Sequence, residues 1–358
     1  VGTELSPEGA SRLGDGWAGV LRHDRVEVVT YPYEWTFSML RDAALLQLDL
    51  GRQALAEGVL VKDATSYNIQ FQSGRPVFID VGSFEELVPG EPWAGYRQFC
   101  ELFLNPLYLQ AVADIPFHPW LRGSINGISP SLASAALGSR HRLRRDLFTH
   151  VRLHARAETR YADADSDRDV RGELSRAGFG PKLIDAQMAN LQRAVGRLEW
   201  KAAASTWSKY SARAHYTDAD LDMKAEFVAK ATAGLTTPTV LDLGANDGRF
   251  SRVALDAGAK LALSVDGDHL VVEHLYRQVK ADGEQRILPL VLDLADPSPG
   301  LGWRSRERPS FVDRVRPDLV LCLAVIHHLA LTNTVPFDEI VSLLRDFDAD
   351  LVVEMPHR

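Results

Sequence analysis

From about Thr217 onward, short and wholly apolar runs alternate with amphipathic stretches. Five runs read as strands: Val240–Leu243, Leu261–Val265, Ile287–Val291, Leu319–Leu323 and Leu351–Val353. Strands this apolar, separated by helices, predict a parallel sheet covered on both faces. Thr217 or Asp218 is placed to cap a helix running to about Ala233. The pattern upstream differs. Between Glu34 and Ala56, Phe37, Leu40, Ala44, Leu45 and Leu48 recur at helical spacing. Asn68–Phe71 and Pro76–Asp80, around the turn Gln72-Ser73-Gly74-Arg75, predict a β-hairpin. A helix from about Gly95 to Val112 follows, and Trp93, Tyr96, Phe99, Phe103 and Tyr108 are assigned to its core-facing side.

Pro116, Pro119, Gly123, Gly127 and Pro130 then break the chain into loops. Arg140, Arg142, Arg144, Arg145, Arg152, Arg156 and Arg160 make a basic helix, read first as a solvated face and second as a dock for an anionic substrate. Around 161–169 the acidic polar stretch Ala162-Asp163-Ala164-Asp165-Ser166-Asp167 reads as a mobile linker. Gly180-Pro181 opens another helix, carrying Leu183, Ile184, Met188, Leu191 and Val195. The expected organisation has three parts: an N-terminal, mainly helical α+β domain over 1–125, a helical connector or cap over 126–215, and an α/β, Rossmann-like parallel-sheet domain over 216–358.

Composition narrows the function classes. A chain of 358 residues, 46% hydrophobic and 25% charged, suits a globular protein with more than one core. A net charge of −8 argues against a non-specific nucleic-acid binder, which needs a basic surface. Cys100 and Cys322 form neither a metal spacing nor a disulfide framework. Cys322, in the run Leu319–Ile326, reads as a buried inert thiol. That run is too short to span a bilayer. No signal peptide is visible, so a cytoplasmic setting without a membrane partner is expected. The first residue is Val1 rather than Met, which leaves a removed leader open.

The candidate chemistry gathers where the strands end. Asp242-Leu243-Gly244-Ala245-Asn246-Asp247-Gly248 is a strand end, a tight turn and the opening of a helix. Gly244 and Gly248 remove side chains where the backbone must pass close to a ligand. Ligands bind at the carboxyl ends of such strands. The second strand ends at Asp266, near the gap of about 20 residues expected for an acid that accepts ribose hydroxyls. The alternative for Asp266 is a helix cap. Asp293 and Leu294 follow the third strand, where a side chain can reach an adenine amino group. Ala324-Val325-Ile326-His327-His328-Leu329 follows the fourth.

These four elements, in this order, resemble the class I S-adenosylmethionine-dependent methyltransferases over about residues 217–358. The resemblance implies S-adenosylmethionine as cofactor. It implies Asp242, Gly244 and Asn246 around the methionine moiety, Gly248 in the loop, Asp266 on the ribose, and Asp293 with Leu294 at adenine. The loop lacks the third glycine of a dinucleotide fingerprint, which favours a sulfonium ligand. Members of this family carry two further strands after the fifth, which the residues up to Arg358 do not supply. His327 and His328 are the candidate catalytic bases; the alternative makes one a backbone hydrogen-bonder and the other a pocket wall. Glu354 and His357 are further candidates. Trp207, Tyr210 and Tyr216 are placed either to stack on the cofactor or to pack in the core. No metal site is expected.

The N-terminal part holds a rival. Asp63, Asn68 and the Asp80-Val81-Gly82 step resemble the catalytic segment of the protein-kinase and aminoglycoside-phosphotransferase fold, in which such groups accept a hydroxyl proton and hold magnesium. No lysine precedes Lys62 to grip phosphates, and the glycines from Gly14 to Gly19 are a weak loop match. The segment 30–115 therefore reads as a large-lobe remnant, or as a loop that Asp63 and Asn68 merely organise. Three functions follow from the sequence. The first is methyl transfer to an oxygen or nitrogen of a small molecule, with a protein or RNA acceptor as the alternative. The second is phosphotransfer through Asp63, Asn68 and Asp80. The third is a non-catalytic scaffold that keeps cofactor binding.

Overall fold

The computed structural model describes residues 1–6, 19–72, 74–88, 90–138, 180–201 and 217–355. The basic helix 140–160, the linker near 161–169, the glycine loop Gly14–Gly16, Ser73, the aromatics Trp207, Tyr210 and Tyr216, and His357 lie outside these residues.

The chain opens with a ribbon of β1 (Thr3–Leu5) and β2 (Leu21–His23). Helix α1 (Phe37–Ala56) starts where Thr36 accepts from the Met39 N–H, and it buries Phe37, Leu40, Ala44 and Leu48. The strand β3 (Val59–Val61) leads to the hairpin β4 (Ile69–Gln72) and β5 (Arg75–Phe78), and β6 (Phe84–Glu86) returns to pair with β3. The aromatic helix is interrupted: α2 (Tyr96–Phe99) and α3 (Asn105–Ala113) are joined by a π-helical stretch, Cys100–Leu104. Short helices α4 (His118–Gly123) and α5 (Pro130–Leu137) follow. Helix α6 (Pro181–Gly196) packs along α1, its Met188 sulfur close over Gly51.

Helix α7 (Asp218–Ala233) is capped by Thr217 in a reciprocal box with Asp220. It leads into β7 (Thr239–Leu243), α8 (Arg249–Asp256), β8 (Leu261–Asp266), α9 (His269–Asp282), β9 (Ile287–Val291), α10 (Phe311–Arg314), β10 (Leu319–Cys322), α11 (Phe337–Asp346) and β11 (Asp350–Val353). The sheet runs β11-β10-β7-β8-β9 with every pair parallel. This is the expected α/β, Rossmann-like architecture, and its order reverses between β7 and β10. No antiparallel strand joins this sheet among the described residues. The fourth strand ends at Cys322, one residue short of the expected Leu323, because Ala324 takes φ +55° and turns the chain off the sheet.

Strand alternation sends the two sheet faces into different cores. Val240, Ala262, Leu319, Leu321 and Val352 pack with Val228, Ala254, Leu255 and Val279. Leu241, Leu243, Leu263, Val265 and Leu290 join a cluster that continues without a break into Phe37, Phe71 and the N-terminal core. Helix α9 stands at that junction. Its Glu273, 1% exposed, accepts from the Ser38 N–H at 2.9 Å, the Ser38 hydroxyl at 2.5 Å and Arg277 Nε at 2.7 Å. Its Tyr276 hydroxyl donates to Asp42, as does Lys280.

Glu273→Ala strands the Ser38 N–H and hydroxyl in a buried junction. Loss of a buried charged partner predicts a destabilisation of about 2–4 kcal/mol. Urea denaturation of the whole chain measures it, and a loss below about 0.5 kcal/mol, the level of an ordinary surface change, contradicts the junction's role.

Candidate functional site

The strand ends that the sequence singled out meet at the carboxyl edge of the sheet. The Gly244 and Ala245 N–H groups both donate to the Val265 carbonyl, at 2.8 and 3.0 Å. That bond folds the loop after β7 toward the end of β8. Gly244 has φ +74°, and a Cβ there would lie 2.4 Å from Val325 Cγ2. The first loop and the segment after β10 therefore touch at the point of strand-order reversal, and only glycine fits the contact. Asn246 also has positive φ, a conformation asparagine tolerates better than most residues. Gly248, again left-handed, is the N-cap of α8, so the helix begins at Arg249, after the loop.

Asp266 joins two loops. Its carboxylate accepts from the Asn246 N–H at 3.1 Å and from the Asp268 N–H at 2.9 Å. The helix cap is a different residue: Asp268 Oδ1 accepts from Leu270 and Val271 at the start of α9. Burial raises the Asp266 carboxyl above its ordinary range, while the backbone N–H groups of Asp268, Asn246 and Gly267 pull it down. Each of its oxygens retains a lone pair. Gly267 follows, and a Cβ there would meet nothing nearer than Asp293 Cα at 3.6 Å. Asp266 and Asp293 thus stand on adjoining loops. Asp293 is exposed and accepts from the Ala295 N–H at 2.9 Å; Leu294 is half-buried beside it.

Asp242 lies deeper than the loop it precedes. It is 2% exposed and accepts from the Ser251 hydroxyl at 2.7 Å, and that hydroxyl lies 2.7 Å from Ser264 Oγ. Burial pushes its carboxyl up to about 6, with the Ser251 bond opposing and the Asp266 charge adding. Ser251 and Ser264 carry no motif; Ser264 is marked only as a lone hydroxyl in the apolar run of β8, and Ser251 by nothing in its amphipathic helix.

His327 and His328 start a π-helical turn, His328–Thr332. Their rings lie 4.0 Å apart at 41°. His327 Nδ1 is buried without a hydrogen-bond partner. Burial, and then His327, lower the His328 pKa, so the imidazole is neutral at neutral pH. Glu354 is engaged elsewhere, paired with Lys224 at 2.7 Å. In the N-terminal part, Asn68 Nδ2 donates to Asp80 Oδ2 at 3.0 Å and to Ser83 Oγ at 3.2 Å. Ser83 Oγ donates to Asp80 at 2.5 Å and lies 3.5 Å from Asp63 Oδ2. The three expected residues are together, with Ser83 as the member that spacing did not reveal. Their donors are spent within the cluster, and Asp80 caps the turn Val81–Ser83. Among the described residues no group of three or more His, Cys, Asp or Glu side chains is placed to hold a metal, and no helix is long and apolar enough to cross a membrane.

The raised Asp242 pKa has a signed consequence. Between about pH 4 and 6 the native state holds a proton that the unfolded chain has lost, so this group's contribution makes stability fall as pH rises. Asp242→Asn removes that contribution. Its stability relative to the parent should be higher at pH 7.5 than at pH 4.5, by about 2–3 kcal/mol; thermal melts at both pH values measure it, and an equal difference at both contradicts the assignment.

No protein-family model matches the chain. Solved structures that resemble it are partial overlaps. A crystal structure of WbdD is 19% identical, over 42% of this chain and 31% of that one, with a TM-score of 0.30. Another WbdD structure, described as a bifunctional kinase-methyltransferase, is 17% identical over 39% and 29%, also at 0.30. A SAM-dependent methyltransferase from Aquifex aeolicus is 15% identical over 37% and 67%, at 0.27. The chain spans about a third of WbdD, and at such TM-scores the overlaps decide nothing about chemistry. The sequence similarity to a curated protein is of another order. The nodulation protein NoeA of Rhizobium meliloti (strain 1021) is 39% identical over 328 residues, covering 91% of this chain and 68% of that protein. On that identity and coverage, the chain belongs to the family of the nodulation protein NoeA.

Proposed function

We propose that the C-terminal domain binds S-adenosylmethionine and transfers its methyl group to an oxygen or nitrogen of a small-molecule acceptor. One observation carries this reading: the Asp266 carboxylate, at the end of β8, is bonded to the Asn246 N–H of the glycine loop. The expected ribose acid and the expected methionine loop form one unit at the sheet's reversal point, where open α/β sheets take ligands. The residues fit the cofactor. Gly267 leaves the top of its loop bare, Gly244 lets the first loop close on Val325, Asp266 keeps lone-pair capacity for ribose hydroxyls, and Asp293 with Leu294 offers an acceptor and an apolar edge to adenine.

When bound, the sulfonium supplies an already activated methyl group, so the protein's work is alignment and exclusion of water. Asp242 acts from below. With Ser251 and Ser264 it anchors the loop whose backbone faces the methionine end. The π turn carries His327 and His328 at the end of β10, beside the Val325 contact with Gly244. A neutral His328 can take a proton from an acceptor hydroxyl or amine. The N-terminal and middle regions serve as the acceptor-recognition cap. The internally bonded Asp63–Asn68–Asp80–Ser83 cluster suits an organising role there better than phosphotransfer. Two buried thiols suit a reducing, cytoplasmic setting.

Asp266→Ala should weaken S-adenosylmethionine binding by roughly ten- to a hundredfold, the scale of charged hydrogen bonds. Isothermal titration of the parent and the variant tests it; no heat with the parent, or equal affinity in both, sinks the reading. An acceptor can be sought by incubating small-molecule extract with methyl-labelled cofactor. With that acceptor, turnover should fall as pH drops through a pKa below 6.5, because protonation removes the base. His328→Gln should lower turnover by about a hundredfold or more and abolish that limb; parent-like turnover in the variant would rule His328 out.

A further inference from the structure

Between the N-terminal domain and the long connection from β9 to β10 lies a buried group of rings and guanidinium ions. Tyr31 and Tyr33 come from the turn Pro32–Glu34 and its cap, Tyr67 from the turn Ser66–Asn68, and Arg308 and Arg314 from the other side. One of the two arginines is neutralised. Arg314 pairs with Glu34, 1% exposed, which also accepts from the Tyr31 N–H at 3.0 Å and bonds the Ser298 side chain. The Arg314 guanidinium lies 4.7 Å over the Tyr31 ring.

Arg308 has no such partner. It is 7% exposed, and among the described residues it makes no ion pair. Its side chain donates to the Tyr67 hydroxyl at 2.7 Å and stacks over that ring at 5.3 Å. Its Nε is buried with no acceptor. The neighbouring Glu307 accepts from the Trp303 N–H at 2.9 Å and makes no ion pair with Arg308, although its charge acts on Tyr67. The Tyr33 hydroxyl is likewise buried without a partner, and Tyr33 is 4% exposed. Burial raises its pKa, so it stays a donor.

A guanidinium this buried, with its Nε unpartnered, costs several kcal/mol unless an anion compensates it. Among the described residues Glu34 pairs with Arg314, and no carboxylate pairs with Arg308. We propose that Arg308 and the Tyr33 hydroxyl, braced by Tyr67, form a site for the oxyanion group of a small molecule, a phosphate or a carboxylate, at the junction of the two domains. The Arg308 fork offers two N–H groups to a pair of oxygens, and Tyr33 supplies a third donor. The proposal does not depend on the cofactor reading, because these residues lie outside the loops at 242–248 and 266–268.

The test is titration of the whole chain, without S-adenosylmethionine and at fixed ionic strength, with inorganic phosphate in one arm and malonate in the other. The parent should give saturable heat with at least one, and the arm that responds identifies the oxyanion class. Arg308→Lys keeps the charge but loses the fork, and should weaken that binding about tenfold. Tyr33→Phe removes only a hydroxyl and should weaken it about fivefold, with the anion-free melting temperature unchanged. No saturable heat in either arm overturns the site, and so does parent-like affinity in either variant. If Arg308→Lys does not fold, Tyr33→Phe alone decides.

Discussion

A parallel sheet has two apolar faces and must cover both. In this chain one face is covered by helices of the C-terminal part, and the other joins a cluster that runs on into the N-terminal part. That division places everything else. It makes α9 an interior helix, puts Glu273 and Tyr276 against α1, and brings the β9–β10 connection under the tyrosines of the first domain. At the carboxyl edge of the sheet the loops after β7, β8, β9 and β10 meet.

The junction is polar as well as apolar. Glu273 and Glu34 are buried carboxylates, each with donors from across the interface. Arg122 adds a two-pronged contact to Asp296, at 2.8 and 2.9 Å, which holds α4 against the loop just beyond Asp293. The loop that carries Asp293 is thus braced from the N-terminal part of the chain. Apolar burial supplies most of the attraction, while these directional bonds fix the angle at which the two bodies meet.

The sequence made the strands legible because each is a run of apolar residues bounded by turn residues. Its five predicted strands fall within a residue of those observed. The loop from Asp242 to Gly248, Asp266 and the paired histidines were legible because their chemistry is tied to strand ends. Asp266 as a helix cap was the alternative, and Asp268 fills that role. Glu34, Glu273, Arg308 and Arg314 were not legible. Their partners lie more than 200 residues away, and a charged residue that will be buried looks, locally, like one that will be solvated. Ser83, Ser251 and Ser264 escaped notice for a related reason, since a hydroxyl's role depends on what its neighbour's side chain needs.

The Glu273 contact also bears on how the chain acquires its structure during synthesis. Helix α1 leaves the ribosome long before α9, and domains tend to fold in the order they emerge. Until α9 arrives, the Ser38 N–H and hydroxyl have water as their partner, and the flank of α1 that will meet Tyr276 stays uncovered. The N-terminal part therefore gains its last partners on this flank only when α9 has been made. A chain that ends before residue 273 lacks both the carboxylate and the tyrosine that meet this flank of α1.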